Sequence, residues 1–233
     1  MTQHGKKYKE SLTKADREQM HGLAEAVEIV KGLASAKFDE TVELAVRLGV
    51  DPRKADQIVR GTLSLPSGTG RTERVAVFAA GEAAAEARAA GADEVGADDL
   101  VAKINGGFLD FDVAIATPEA MSEVRKLGKA LGPRGLMPNP KTGTVTEDTA
   151  KAVKEVKAGR VEFKVDKGGN VHVPIGKISF APLQIEENAR AVIEAVAKSR
   201  PSSAKGVFIH TCTISATMSP PVRVDVREFL AAA

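Results

Sequence analysis

The chain has 233 residues, 43% of them hydrophobic, enough for one large core or two of ordinary domain size. Its single cysteine, Cys212, excludes an internal disulfide, and His4, His21, His172 and His210 are too scattered for zinc spacing, so neither metal nor cofactor is expected. No run approaches the roughly 18 apolar residues that span a bilayer, and MTQHGKKYKESLTK at the N-terminus lacks an apolar stretch behind its basic residues; the expectation is a cytoplasmic protein with no membrane partner.

In FDETVELAVRLGV (38–50), Val42, Leu44, Val46 and Leu48 alternate with Thr41, Glu43, Ala45 and Arg47, the period of a half-buried strand. IVRGTLSL (58–65) predicts a second strand, and PSGTG after it a flexible break. The pattern then changes. VAVFA (75–79), an Ala-rich helix from Glu82, a helix around Leu100, Val101 and Ile104, the buried strand FDVAIAT (111–117) and a helix carrying Met121, Val124, Leu127 and Leu131 alternate as parallel α/β units do.

After a helix near Val153 and Val156, KAGR (157–160) breaks the chain and alternation returns. Val161, Phe163 and Val165, a Gly168-Gly169-Asn170 turn, then Val171, Val173 and Ile175 predict a hairpin. Pro182 opens a helix whose apolar positions are Ile185, Ala189, Val192, Ile193 and Val196. GVFIHTCTISATM and VRVDV predict a closing pair of strands. The expected architecture is two domains of mixed α+β and α/β class. A discontinuous split β-α-β antiparallel α+β domain comprises residues 1–67 and 159–233, and a Rossmann-like three-layer α/β domain, residues 68–158, is inserted into it. Crossings near 66–70 and 157–160 would act as a hinge.

Net charge is only +2, but residues 1–67 and 159–233 together hold 21 Lys/Arg against 17 Asp/Glu, while 68–158 hold 12 against 14. Two basic runs are free of acids: Arg125, Lys126, Lys129, Arg134 and Lys141, then Lys198, Arg200, Lys205 and Arg223. Charge alone reads such runs as solvated surface as readily as binding surface.

GLMPNPKT (135–142) matches the phosphate-loop pattern G-x-x-x-x-G-K-[ST] at every place but Pro140. A phosphate loop needs a strand before it and inward N–H groups; this segment follows a predicted helix, and Pro138 and Pro140 remove two donors. Gly68-x-Gly70 precedes its strand, the wrong order for a dinucleotide loop. Asp98-Asp99 reads as a helix N-cap, Asp110 and Asp112 as turn residues, and no nucleophile has an evident base. A nucleotide-binding α/β enzyme remains the rival from another class.

LGKALGPRGLMPNPKTGTV resembles the signature segment of the bacterial large-subunit ribosomal protein L-one family, the protein of the mobile ribosomal stalk. AKFDETVELAVRLGVDPRKADQIVRGTLSLP, FDVAIATPEAM, VKAGRVEFKVDKGGNVHVPIGK and TMSPPVRVD resemble it in the same order, over essentially the whole chain. The resemblance implies a non-catalytic protein, monomeric off the ribosome. Its partners would be large-subunit ribosomal RNA, the messenger RNA of its own operon, which it would repress, and exit-site tRNA, whose movement it would assist. A free-standing RNA regulator that never joins ribosomes is a further alternative.

Carried over by position, the implied RNA surface is Lys37, Phe38, Glu40 and Thr41 on the first strand, Lys164, Asp166 and Lys167 on the hairpin, and Thr217, Met218 and Ser219 near the end. The run Arg125, Lys126, Lys129, Arg134 and Lys141 is a second possible contact to RNA or tRNA. Ser219 departs from the Thr-Met-Gly-Pro usual in the family. Folded RNA is read through shape, 2′-hydroxyls and phosphates, which suits short hydroxyls alongside lysines. A double proline after the final strand would leave the backbone of Ala216–Pro221 free to face a partner. Blander roles stay open at this point: Phe38 as the start of the core, Met218 as a buried gap-filler, and the lysines as solubilising charge.

Overall fold

The protein's structure, a computed structural model, describes residues 5–16 and 18–230. In chain order its first elements are α1 (Lys6–Lys14), β1 (Met20–His21), α2 (Leu23–Leu33), β2 (Thr41–Leu48) and β3 (Arg60–Ser64). Then come β4 (Val75–Phe78), α3 (Gly81–Ala89), β5 (Glu94–Gly96), α4 (Asp98–Asn105), β6 (Val113–Ala116), α5 (Met121–Val124), α6 (Gly128–Leu131) and α7 (Thr149–Lys157). The chain ends with β7 (Arg160–Lys164), β8 (Asn170–Lys177), α8 (Pro182–Lys198), β9 (Ile209–Ala216), β10 (Val222–Val224) and α9 (Arg227–Leu230). The described residues fall into two compact units, one running up to Gly70 and resuming at Val161, the other Arg71–Arg160. No helix among them is long and apolar enough to cross a membrane.

The first unit holds a five-stranded sheet in the order β1-β10-β9-β2-β8. Its pairings are antiparallel except for the two-residue β1, which runs parallel to β10. Alternation buries Val42, Leu44, Val46 and Leu48 of β2, Val171, Val173 and Ile175 of β8, and Cys212, Ile214 and Ala216 of β9 in one core with α2 and α8. Each Val, Leu or Ile side chain among them contributes roughly 1.5–3 kcal/mol by leaving water. The opposite face carries Glu43, Arg47, His172, Pro174, Thr211 and Arg223, all exposed. Pro174 is tolerated because β8 is an edge strand with one free side.

The expected hairpin does not form. β7 pairs with β3 in a separate two-stranded sheet, while β8 joins β2. The turn between them is real, with the Asp166 N–H donating to Asn170 O at 2.8 Å and Gly169 at φ 81 in the left-handed region that glycine adopts without strain. Hydrophobic period specifies a strand and its inward face, but the partner is set by which edge is open.

The PSGTG break is also held more firmly than expected. Asn188 of α8, fully buried, accepts the Ser67 N–H through Oδ1 at 3.0 Å and donates through Nδ2 to Gly68 O and Ile175 O at 2.9 and 2.8 Å. All three bonds are made inside the first unit.

The second unit is built on a parallel sheet, β5-β4-β6. Phe78 and Ala116 face Leu100, Ile104, Val124, Leu127 and Leu131 on one side, while Val75, Val77 and Ile115 face Ala87, Val153 and Val156 on the other. Helices therefore cover both faces, as near-continuous apolar strands require. The helix expected to carry Met121 to Leu131 is broken by a 3-10 turn, Arg125–Leu127, ahead of Gly128, whose helix propensity is poor. The Asp98-Asp99 pair sits inside the first turn of α4, not at its cap, and Asp99 reaches back to accept the Ala97 N–H at 2.9 Å. That bond holds the Asp99 carboxyl below its ordinary pKa.

Candidate nucleic-acid interface

The site builds outward from the junction of β2 and β9. Their ladder ends at Val42 opposite Ala216, and the next pair closes it with side chains. The Thr217 N–H donates to Thr41 O at 3.1 Å, the Thr41 N–H donates to Thr217 Oγ1 at 3.1 Å, and that hydroxyl donates to Thr41 O at 3.3 Å. Lys177, opposite Thr41 on β8, donates Nζ to Thr41 Oγ1 at 2.8 Å. The Ala216–Pro221 backbone is therefore not free, as the double proline had suggested, because its N–H groups find partners beyond the regular ladder.

Glu40 explains how the next residue is held. Its side chain is 1% exposed, and its Oε1 accepts the N–H groups of Ser35 and Ala36 at 3.2 and 3.0 Å. Oε2 accepts the Met218 N–H at 2.9 Å. A buried carboxylate is stable only when its lone pairs are filled in this way. Glu40, placed by the resemblance on the RNA surface, thus points inward and ties the 35–36 loop to the terminal loop. Lys37, Phe38 and Glu40 also precede β2, with only Thr41 on the strand.

Two large apolar side chains stand on this braced surface, Phe38 at 57% and Met218 at 58% exposure. Neither belongs to the core, so the packing roles left open for them are set aside. Lys37 is exposed beside them, with no ion pair among the described residues. Ser219 is half-buried, its Oγ accepting the Ala216 N–H at 2.9 Å, and no described non-glycine residue has positive φ. A serine is accommodated here without backbone strain.

The remaining three residues lie elsewhere. Asp166 Oδ1 accepts the N–H groups of Gly168 and Asn170, both at 2.8 Å, and Oδ2 accepts Asn170 Nδ2 at 3.3 Å. The Asn170 N–H chiefly holds its carboxyl below the ordinary carboxylate range. Like Glu40, Asp166 shapes a loop, which leaves Lys164 and Lys167 exposed around it and outside any ion pair among the described residues. This turn is pinned to the far end of β2 by the Leu48 N–H donating to Gly169 O at 2.8 Å. Seven steps of about 3.3 Å along β2 separate the two clusters, about 23 Å.

Lys177 belongs chemically with the first cluster, and Arg47, Thr211, Thr213 and Ser215 line the outer sheet face between the two. Strict alternation along β2, β8 and β9 already marks these positions as outward, which is the signal that could have found them. In the second unit Arg125, Lys126, Lys129 and Arg134 are exposed, with Lys126 paired to Glu123 at 2.6 Å; the Lys141 side chain lies outside the described part of the structure.

The near phosphate loop is an ordered turn of a different kind. The Thr142 and Thr144 N–H groups donate to Asn139 O at 3.1 and 3.3 Å, and Gly143 N–H donates to Pro140 O at 3.1 Å. Thr142 is buried, with its hydroxyl on Asn139 O at 3.0 Å. These donors are spent within the loop, and the chain continues into Val145, bridged to β6, rather than into a helix.

The comparison with known families agrees with the resemblance: the model of the family described as ribosomal protein L1p/L10e matches residues 30–220, most of the chain.

Proposed function

The chain belongs to the ribosomal protein L1p/L10e family, and from that premise we propose that it is a large-subunit stalk protein that binds ribosomal RNA through the unit built from both chain ends. One observation carries the choice of surface: Phe38 and Met218, exposed and apolar, are held on a scaffold braced by Glu40 and by the Thr41–Thr217 bonds. Such side chains suit stacking on an unpaired base or sugar. Lys37 and Lys177 beside them, and Lys164 and Lys167 about 23 Å away, neutralise phosphates at two points along the RNA.

In this reading Glu40 and Asp166 position the contacting loops, and Thr217 and Ser219 shape the backbone that offers Met218. The protein performs no catalysis, works in the cytoplasm on the ribosome, and is monomeric away from it. The inserted Rossmann-like domain carries the basic surface of Arg125, Lys129 and Arg134 toward exit-site tRNA. A similar fold in its own operon messenger RNA would be bound by the same two clusters, repressing translation.

The test is sedimentation of the full chain with large subunits, together with binding of a ribosomal stalk RNA transcript across salt concentrations. A chain joining residues 1–67 to 159–233 is expected to keep most of the affinity, with log affinity falling by roughly 0.7–0.9 per neutralised phosphate for each log unit of salt. Failure of the full chain to bind the transcript, or salt-insensitive binding, overturns the reading.

A further inference from the structure

A cleft of about 320 Å³ opens at the corner of the five-stranded sheet where β9 begins and β10 ends, and it shares only Thr211 with the outer sheet face described above. Met20 and Val207, both 61% exposed, flank it, and Val224 of β10 lines its base. They are two of only six exposed large apolar side chains among the described residues, and Phe38 and Met218 are two of the others. The Val207 wall is fixed by Arg200, which donates Nη2 to Ala204 O and Gly206 O at 3.2 and 3.0 Å.

The rim carries two guanidinium groups. Arg223 and Arg227 line it beside His210, and its one acid among the described residues, Asp225, is already engaged by Arg227 through Nε at 2.9 and 3.0 Å. The Arg223 side chain is exposed, with no ion pair or hydrogen bond among the described residues. It closes the second acid-free run of the sequence, Lys198 to Arg223. An apolar slot with an unpaired guanidinium at its mouth matches a flat, anionic occupant, in which a ring fills the slot and a phosphate meets the cation.

Size and topology narrow this further. Small-molecule sites run from about 300 to 1,000 Å³, so this one holds a single ring system with its sugar. A protein strand is disfavoured, because the neighbouring edge strand β1 offers only two residues for pairing. The register Val224–Cys212–Val46–Val171 sets the cleft three strand spacings, about 14 Å, from the start of β8 and the Asp166 turn. Arg47 lies exposed between them, paired to Thr211 of the cleft's own lining. An RNA strand held by Lys164 and Lys167 can cross the sheet face to reach it.

We propose that this cleft takes one unstacked base of the bound RNA, with Met20 and Val207 against its faces and Arg223 on its phosphate. The inference rests on the RNA-binding reading above. The test uses the full chain and the stalk RNA transcript, comparing the parent with Met20→Ser combined with Val207→Ser, and with Arg223→Ala.

Both sites of the double variant are exposed, so its melting temperature should stay at the parent's while affinity falls about tenfold. Arg223→Ala should lower the salt slope by about one contact. Ultraviolet crosslinking of the parent should recover peptides containing Met20 or Val207. Parental affinity in both variants, or crosslinks at Phe38 and Met218 with none at the cleft, overturns the cleft and leaves RNA binding intact. Parental binding to the transcript but lost sedimentation with large subunits means a protein occupant, which also overturns it. A parent that binds no RNA removes the underlying reading as well.

Discussion

Glu40 and Met218 stand 178 positions apart in the chain, and the Glu40 carboxylate accepts the Met218 backbone N–H at 2.9 Å. One buried acid thereby makes a single surface of two segments from opposite ends of the sequence. Glu40→Gln keeps the shape but replaces a charged acceptor of three N–H groups with a neutral amide whose NH₂ must face donors. Stability should fall by about 1–3 kcal/mol, read by urea unfolding, with a loss of RNA affinity beside it. An unchanged midpoint would mean that the carboxylate does not organise the loop.

Thr217 tests the same scaffold from the other side. Its hydroxyl bridges the N–H and the C=O of Thr41 at an exposed position, so Thr217→Val removes both bonds and should cost about 0.5–1.5 kcal/mol of folding. Thr217→Ser keeps the hydroxyl and should restore most of the loss. If Thr217→Val melts like the parent and only RNA binding suffers, the hydroxyl contacts RNA instead of Thr41.

Acid sensitivity arises from the C-terminal ion pair. Hydrogen bonds from Arg227 lower the Asp225 carboxyl from its ordinary 3.8 to about 2. A group depressed in the folded state adds stability that is complete above its unfolded pKa and disappears as pH falls through the folded one. Parent stability should therefore drop between about pH 4 and 2, and Asp225→Asn should flatten that part of the profile. Thermal melts across the window check this; parallel profiles would show that the pair persists in the unfolded chain.

Pro140→Gly completes the phosphate-loop pattern in sequence. No nucleotide binding should appear, because the loop's N–H groups already serve Asn139 O and Pro140 O. Calorimetry with magnesium and ATP is the check, and micromolar affinity in either form would contradict the closed geometry.

Strand alternation was the most legible feature of the sequence, since Val42 to Leu48 and Val171 to Ile175 bury the residues that period alone selects. The choice of partner was not legible: β7 and β8 are joined by a turn yet lie in different sheets. Helix α2 was missed although Leu23, Ala26, Val27, Val30 and Leu33 are buried at helical spacing, because alanine and Gly32 dilute the apolar signal. At the site, the exposure of Phe38 and Met218 distinguishes a contact surface from core, which residue type cannot. The inward turn of Glu40 was beyond local reading, because an acid beside a strand reads as solvated until an N–H supplied 178 positions later makes its burial affordable.

The two clusters should act as separate contacts. Met218 lies at one end of β2 and the Asp166–Gly169 turn that follows Lys164 at the other, about 23 Å along the strand, and Met218 and Lys164 share no hydrogen-bond partner among the described residues. Met218→Ala removes an exposed side chain, so it should lower RNA affinity without the 2–5 kcal/mol of folding that a core Met→Ala costs. Lys164→Ala should reduce the salt slope by about one contact and weaken binding evenly across RNA sequences. Sites this far apart add to within about 0.3–0.5 kcal/mol, so the double variant should show the product of the two affinity losses. Glu40→Gln with Met218→Ala should not add, because the first already releases the loop that offers the second. Two double-mutant cycles on one RNA transcript measure both couplings. Strong coupling between Met218 and Lys164 would mean that RNA binding draws the two ends of the sheet into one cooperative site.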